Sequence, residues 1–503
     1  MGIPIRYVAK IGGYILKQHI TGRKRYPLVM MMEPLFRCNL ACAGCGKIDY
    51  PDEILNKRLP VDEALESVRE CGAPVVVIAG GEPLLHKDLP QIVQGIIAQK
   101  KFAIVCTNAL LLEKKIKEYK PSPYFTWSIH LDGDKEMHDQ SVCQRGVYDK
   151  AVAAIAKAKE MGFRVTINCT FFNNSSADKI ADFFDSVTRM GIDGITVSPG
   201  YAYERAPDQK HFLNRKATKD LFRGVFRHGK EKGREKWTFQ QSGLFLDFLA
   251  GNQSYHCTPW GNPTRTVFGW QKPCYLLGEG YAATFKELME ETDWDAYGTG
   301  NYEKCADCMV HSGYEASSVV DSVKKPWKPL VHAIRGIKTE GDMAPEISRE
   351  PAPGRVRVLA QRRPEALRDQ SLGRRYQAGS PQAHRCLSPA FQRMQEDPRG
   401  TGRAGLLVSG FSLGDEAAVH ATPRSGPSRV RQRASDAKAA EESRPSRISS
   451  LIRARPRRSA PSTARMSGSP SGVRAVAAKA GRARSAGSQT TRSAAKGRAW
   501  RAA

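Results

Sequence analysis

From residue 28 to 200 the chain repeats one pattern, a short apolar run rich in β-branched residues followed by a longer amphipathic stretch. That alternation is the mark of β/α units on a parallel sheet, whose strands are covered on both faces and so read as nearly continuous apolar runs. Six strands are predicted, over 28–33, 74–79, 102–107, 124–131, 164–170 and 194–198. Helices are predicted over 61–71, 88–99, 147–161 and 176–190, with Gly72, Gly162 and Gly191 as their C-terminal stops, and a further one over 218–232. The expected fold class is therefore α/β, and in such architectures ligands gather at the carboxyl ends of the strands.

The first predicted strand runs into Cys38-Asn-Leu-Ala-Cys42-Ala-Gly-Cys45, three cysteines in eight residues, and no other Cys or His lies within twenty residues of Cys45. Three thiolates can ligate three irons of a [4Fe–4S] cubane and leave the fourth iron open, whereas a structural zinc site takes four ligands. Cys38, Cys42 and Cys45 are the expected metal ligands. Later in the chain Cys257, Cys274, Cys305 and Cys308 form a second candidate set, for a further cluster, for zinc, or as buried small residues.

The spacing CxxxCxxC at the end of a first strand, with Gly80-Gly81-Glu82-Pro83 closing the second, resembles the radical S-adenosylmethionine (SAM) enzymes. The resemblance implies a partial (β/α)6 barrel, with SAM chelated to the open iron through its amino and carboxylate groups. Two glycines at 80 and 81 would let the backbone approach the ligand, and Glu82 would offer a carboxylate to the methionine ammonium. Polar residues at the following strand ends, Thr107, Asn108, Ser128, Asp132 and Asn168, are the inherited candidates for SAM contacts. One position departs from the family: the aromatic residue usual before the third cysteine is Gly44 here, so adenine packing is expected from Phe36 or Ile48.

Across residues 1–350 the chain is further similar to the HpnH-type radical SAM proteins of hopanoid biosynthesis. The match is carried by Gly2-Ile3-Pro4, Pro34-Leu35-Phe36-Arg37, Cys45-Gly46-Lys47-Ile48, Ser128-Ile129-His130-Leu131-Asp132-Gly133 and Thr258-Pro259-Trp260-Gly261. It implies addition of the 5′-deoxyadenosyl radical to the terminal alkene of diploptene, a pentacyclic triterpene, giving adenosylhopane. Cys106 is the candidate hydrogen donor to the resulting carbon radical, and a ferredoxin or flavodoxin the expected electron donor. Radical addition needs no acid–base dyad, so His130, His138 and Asp139 receive no such role, the last two reading as helix-start residues. Tyr255, Trp260, Phe268, Trp270, Tyr275 and Tyr281 are the expected lining of an apolar pocket. The competing readings are a peptide-modifying radical SAM enzyme with an auxiliary cluster and a non-catalytic iron–sulfur protein that binds nucleic acid through its tail.

Composition sets the domain plan. Before residue 351 there are 47 Lys and Arg against 42 Asp and Glu, and after it 31 against 9, with Arg displacing Lys. Such a tail, poor in large apolar residues, is expected to be disordered, and the switch in usage is also what a shifted reading frame would give. It offers no stacking platform, so nucleic acid is an unlikely partner. The expected organisation is an amphipathic segment over 1–27, a barrel over 28–235, a Cys- and aromatic-rich extension over 236–350 and a basic tail over 351–503. No stretch is apolar enough to span a membrane, and cysteine usage suits a reducing cytoplasm. A helix over 5–18 would put Ile5, Val8, Ile11 and Ile15 on one side and Arg6, Lys10 and Lys17 on the other, fit either to dock on the inner membrane surface or to pack against the body.

Overall fold

The computed structural model describes residues 4–201, 206, 209–345 and 347, all within one compact unit, Met1–Gly405. The expected basic tail over 351–503 lies outside the described residues. Six parallel strands form the main sheet: β1 (Val29–Glu33), β2 (Val75–Ile78), β3 (Phe102–Thr107), β4 (Phe125–His130), β5 (Arg164–Phe171) and β6 (Gly194–Pro199). They pair in sequential order, each with its neighbour, as successive β/α units dictate. Among the described residues no pairing joins β6 back to the far edge, so the sheet remains an open, partial barrel. All six expected strands are present with ends displaced by at most one residue.

Seven helices fill the connections: α2 (Asp52–Leu55), α3 (Val61–Cys71), α4 (Leu89–Ala98), α5 (Leu112–Lys115), α6 (Lys135–Ser141), α7 (Val147–Glu160) and α8 (Ala177–Arg189), after the N-terminal α1 (Ile5–Ile20). α3 illustrates the local logic. Pro60 presets its entry, Asp62 and Glu63 face the positive end of the helix dipole, and Gly72 ends it at φ 71°, which side chains resist. Its buried Ala64, Val68 and Cys71 join Val76, Ile78 and Ile92 in the main core.

The C-terminal extension does not stand apart from the barrel. After α9 (Arg215–His228) and α10 (Gly243–Leu249), β7 (Thr264–Thr266) pairs in parallel with β1, and β8 (Gly269–Gln271) and β9 (Tyr281–Ala282) continue the sheet antiparallel. The sheet thus runs through nine strands across the boundary expected at residue 235. α11 (Phe285–Glu291), α12 (His311–Lys324) and α13 (Trp327–Arg335) complete the described chain.

α1 is longer than expected and divides its apolar residues between two surroundings. Ile15 is buried with Tyr26 and Leu28 and, alongside Ile11, packs on Val319 and Val320 of α12, whereas Ile5, Val8, Leu16 and Ile20 are exposed. No helix among the described residues is long and apolar enough to cross a membrane.

Candidate functional site

The cluster loop begins where β1 ends. Leu35 and Phe36 are buried at its base, and Glu33, the last residue of β1, pairs at 2.9 Å with Lys47 just past the third cysteine. That buried ion pair pins both ends of the loop to one strand. The second strand's Gly80-Gly81-Glu82 turn grips the same loop, since Gly81 N–H donates to Leu35 O and Glu82 N–H to Arg37 O, both at 3.0 Å.

These contacts change the meaning of the two glycines. A Cβ at Gly80 would lie 2.4 Å from Leu35 O, and one at Gly81 2.1 Å from Arg37 O. On the Cβ side of both glycines the space is filled by the protein's own backbone. Glu82 is likewise turned inward: it accepts Thr107 Oγ1 at 2.7 Å, Asn108 N–H at 2.9 Å and Leu84 N–H at 3.0 Å. This carboxylate ties the end of β3 to the end of β2. Pro83 starts the short turn that Glu82 caps.

Asn108 extends the network to the cysteines, its side-chain amide donating to Asn39 Oδ1 at 2.8 Å and reaching Cys38 Sγ at 3.8 Å. Cys38, Cys42 and Cys45 are half-buried and face one another. Burial pushes all three thiols up, Cys38 to about 12, with neighbouring thiols adding to the effect on Cys38 and Cys42. Buried thiolates close together need a cationic partner, and iron supplies one, so this donor set fits a cluster. Among the described residues no three His, Cys, Asp or Glu side chains converge as for a single ion, whereas thiolates on one cubane each bond a separate iron.

At the far side, Asp132 follows β4. It accepts from Ser141 Oγ and from Thr170 N–H at 2.8 Å and pairs with His130 Nε2 at the same distance. Burial alone would raise Asp132, but His130 and the hydrogen bonds outweigh it and hold the carboxyl low; Asp132 in turn raises His130 against burial. His130 thus partners a candidate site residue. Ser128 on β4 is the register partner of Cys106 on β3, and Asn168 on β5 that of His130. His138 and Asp139 lie inside α6, whose cap is Asp134. Asp139 does serve a helix start, but that of α7, accepting Gly146 and Tyr148 N–H at 2.6 and 2.9 Å.

His138 is fully buried, and burial together with His130 drives its pKa down to about 4. Its lowered folded pKa gives stability that is present above the unfolded value of roughly 6.5 and lost as pH falls through 4; at pH 5 the loss is roughly 2 kcal/mol. The raised His130 works in the opposite sense, so the measurement is a comparison. Urea unfolding at pH 7.5 and 5 should show a smaller acid loss for His138→Gln than for wild type, and equal losses would refute this account.

Phe36, one of the two residues expected to pack on the adenine, is itself buried in a stack with Tyr50, ring centroids 4.9 Å apart. The space beside Gly44 is taken by Phe172, just past β5: a Cβ on Gly44 would lie 2.9 Å from Phe172 Cζ, and one on Gly200 2.5 Å from its Cδ1. Two residues that lack side chains make room for this ring. The glycine at 44 was the sequence signal; the ring's origin, 128 positions on, was not readable.

The expected aromatic lining also divides. Phe268 packs on Phe36, Tyr50 and Tyr281 beside the cluster loop, and Tyr275 lies under Lys47 Nζ at 5.7 Å. Trp270 is core against Phe285, Trp260 packs on Trp294 and Tyr255 on Phe248, so these three do not join that wall. Cys257, Cys274, Cys305 and Cys308 line one cavity in the extension.

Residues 32–187, which hold the end of β1, the cluster loop and β2 to β5, match the Radical SAM superfamily model, and residues 195–332 match a domain of unknown function, DUF3463. Over residues 32–187 the chain is thus similar to the radical SAM superfamily, and its cofactors are a [4Fe–4S] cluster and SAM. A GTP 3',8-cyclase of Clostridium perfringens is 32% identical over 163 residues, 31% of this chain and 50% of that protein. The Fe-coproporphyrin III synthase of Methanosarcina barkeri is 28% identical over 153 residues, 30% of this chain and 38% of that one. The chain thus spans half or less of the length of these relatives. Streptococcus suis SuiB bound to S-adenosylmethionine superposes with a TM-score of 0.43 at 18% identity, over 50% of this chain and 62% of that one.

Proposed function

We propose that this chain adds the 5′-deoxyadenosyl group of SAM to the terminal alkene of a pentacyclic triterpene, diploptene, as its resemblance to the HpnH-type proteins implies. When bound, the cluster and SAM supply the 5′-deoxyadenosyl radical. Cys38, Cys42 and Cys45 would hold the cluster, Asn108 would donate to the Cys38 sulfur, and Phe172 would pack against the adenine. Phe268, Tyr281 and Tyr50 would present an apolar wall to the hydrocarbon. The GTP cyclase and porphyrin-synthase relatives match under a third of this chain and half or less of their own length, so their substrates are not carried over to a chain whose extension matches another family model.

The observation that carries the reading is Cys106. Its thiol stands on β3 one residue before Thr107, opposite Ser128, and burial pushes it up to about 11. It therefore keeps its hydrogen at neutral pH. Addition forms a C–C bond between C5′ and the alkene CH2 and leaves the unpaired electron on the tertiary carbon. Cys106 S–H transfers a hydrogen atom there, and the thiyl radical regains one electron from a ferredoxin- or flavodoxin-class reductant and one proton from water. The test is an anaerobic assay of the reconstituted full chain with SAM, reductant and diploptene. Mass spectrometry should find diploptene plus the adenosyl group plus one hydrogen. If only 5′-deoxyadenosine and methionine form, the substrate is wrong and a peptide substrate becomes the leading reading.

A membrane-dissolved substrate gives the exposed apolar residues a use. Ile5, Val8 and Ile20 on α1 are 86%, 57% and 77% exposed, and α13 offers Trp327, Leu330 and Ile334 at 59%, 62% and 77%. Both helices pack on α12 and carry Lys and Arg, as interfacial helices do. Ile5→Glu with Ile20→Glu should weaken binding to anionic vesicles by roughly tenfold or more without altering the melting temperature. Unchanged co-sedimentation would remove the membrane from the proposal.

A further inference from the structure

The cavity in the extension brings together four cysteines that the sequence scatters over 52 positions. Cys257 precedes a short turn, Cys274 follows β8, and Cys305 and Cys308 flank the turn that leads into α12. The packing around Cys257 leaves no slack: a Cβ on Gly313, in the first turn of α12, would lie 2.8 Å from Cys257 Sγ. A Cβ on Gly298, at φ 102°, would lie 3.2 Å from Cys257 Cβ.

Two further side chains point to an occupant. Asn262 lines the same cavity, is 8% exposed, and leaves its Oδ1 without a hydrogen-bond partner. A buried amide is not left unpaired without cost, and its O and N ends exchange by a simple flip, so it can turn N–H donors toward an anionic guest. Arg215, 2% exposed, donates to Cys308 O at 2.7 Å and sets a guanidinium against the backbone of the CxxC turn. Amide donors and a buried cation are what sulfur-rich, negatively charged clusters attract. The sulfurs surround a cavity, and among the described residues no three ligating side chains converge on a single-ion point, which favours a cluster over zinc.

We propose that Cys257, Cys274, Cys305 and Cys308 hold a second [4Fe–4S] cluster, coordinated by the protein at all four irons and separate from the one at Cys38, Cys42 and Cys45. Full coordination leaves this centre no place for SAM. The proposal stands independently of the triterpene substrate.

The experiment reconstitutes the full chain anaerobically with iron and sulfide, counts iron, sulfide and zinc, reduces the clusters with dithionite, and records electron paramagnetic resonance with and without SAM. Wild type should carry about eight irons, and the Cys38→Ala/Cys42→Ala/Cys45→Ala variant about four, with a signal that SAM leaves unchanged. Cys305→Ser/Cys308→Ser should keep about four irons with a SAM-sensitive signal. A folded triple variant without iron, or with one zinc in its place, overturns the proposal. Should the variants fail to fold, wild type alone decides. Two signals of which SAM shifts only one support a second cluster, and a single signal shifted entirely by SAM overturns it.

Discussion

Gly81→Ala is expected to strip the cluster from the protein and to lower SAM cleavage about 100-fold or more, the scale on which misplacing a reactive group by an ångström acts. The new Cβ would meet Arg37 O at 2.1 Å and Phe36 O at 2.5 Å. Both are backbone atoms of the segment that delivers Cys38, so neither can swing aside as a flexible side chain would. Overpacking of this kind costs roughly 1–3 kcal/mol even where the neighbours are side chains. Relief would require the loop to leave the Gly81 and Glu82 N–H donors that hold it. Iron content after reconstitution and the melting temperature read the two consequences separately. Gly12→Ala is the matched control, because nothing lies within 4 Å of its Cβ position and alanine suits a helix better by about 1 kcal/mol. A Gly81→Ala protein with full iron content would disprove the argument.

Cys106→Ala is expected to leave SAM cleavage intact while the saturated adduct falls by roughly tenfold or more, because the tertiary radical loses its nearest S–H. The effect falls on the fate of the product rather than on radical formation, which distinguishes a hydrogen donor from a core thiol. Cys106→Ser, nearly isosteric and still partnered with Ser128, should behave like Ala, since an O–H bond is far too strong to yield a hydrogen atom. The pH profile gives a second handle: a thiol raised to about 11 by burial stays protonated through neutral and mildly alkaline pH, so yield should fall only as pH nears that value. An unchanged yield of saturated adduct from both variants would take Cys106 out of the mechanism.

The strands of the barrel could be read almost to the residue, because a strand buried on both faces must be apolar throughout, as Val75–Ile78 is. The three candidate cysteine ligands were equally plain, being local in sequence. What escaped is what depends on backbone meeting backbone across long separations. Gly80 and Gly81 read as an opening for a ligand, yet they accommodate residues 35–37. Glu82 read as a ligand for an ammonium group, and the sequence did not show that it also accepts from Thr107, Asn108 and Leu84. Phe172 was invisible as the partner of Gly44, since nothing in a lone aromatic residue after a strand says which loop it will cover. The ion pair of Glu33 with Lys47 joins two residues 14 apart with no periodic relation, and Lys47 drew notice only within a family match.

β7, β8 and β9 are three, three and two residues long, too short to leave a period in the sequence, and so the extension read as a separate module. Their attachment to β1 means that the strand feeding the cluster loop is an interior strand. A chain ending at residue 235 would turn it into an exposed edge, with bare N–H and C=O groups open to pairing with another molecule. Barrel and extension should therefore melt in a single cooperative transition, and a protease should find no cleavable hinge between them.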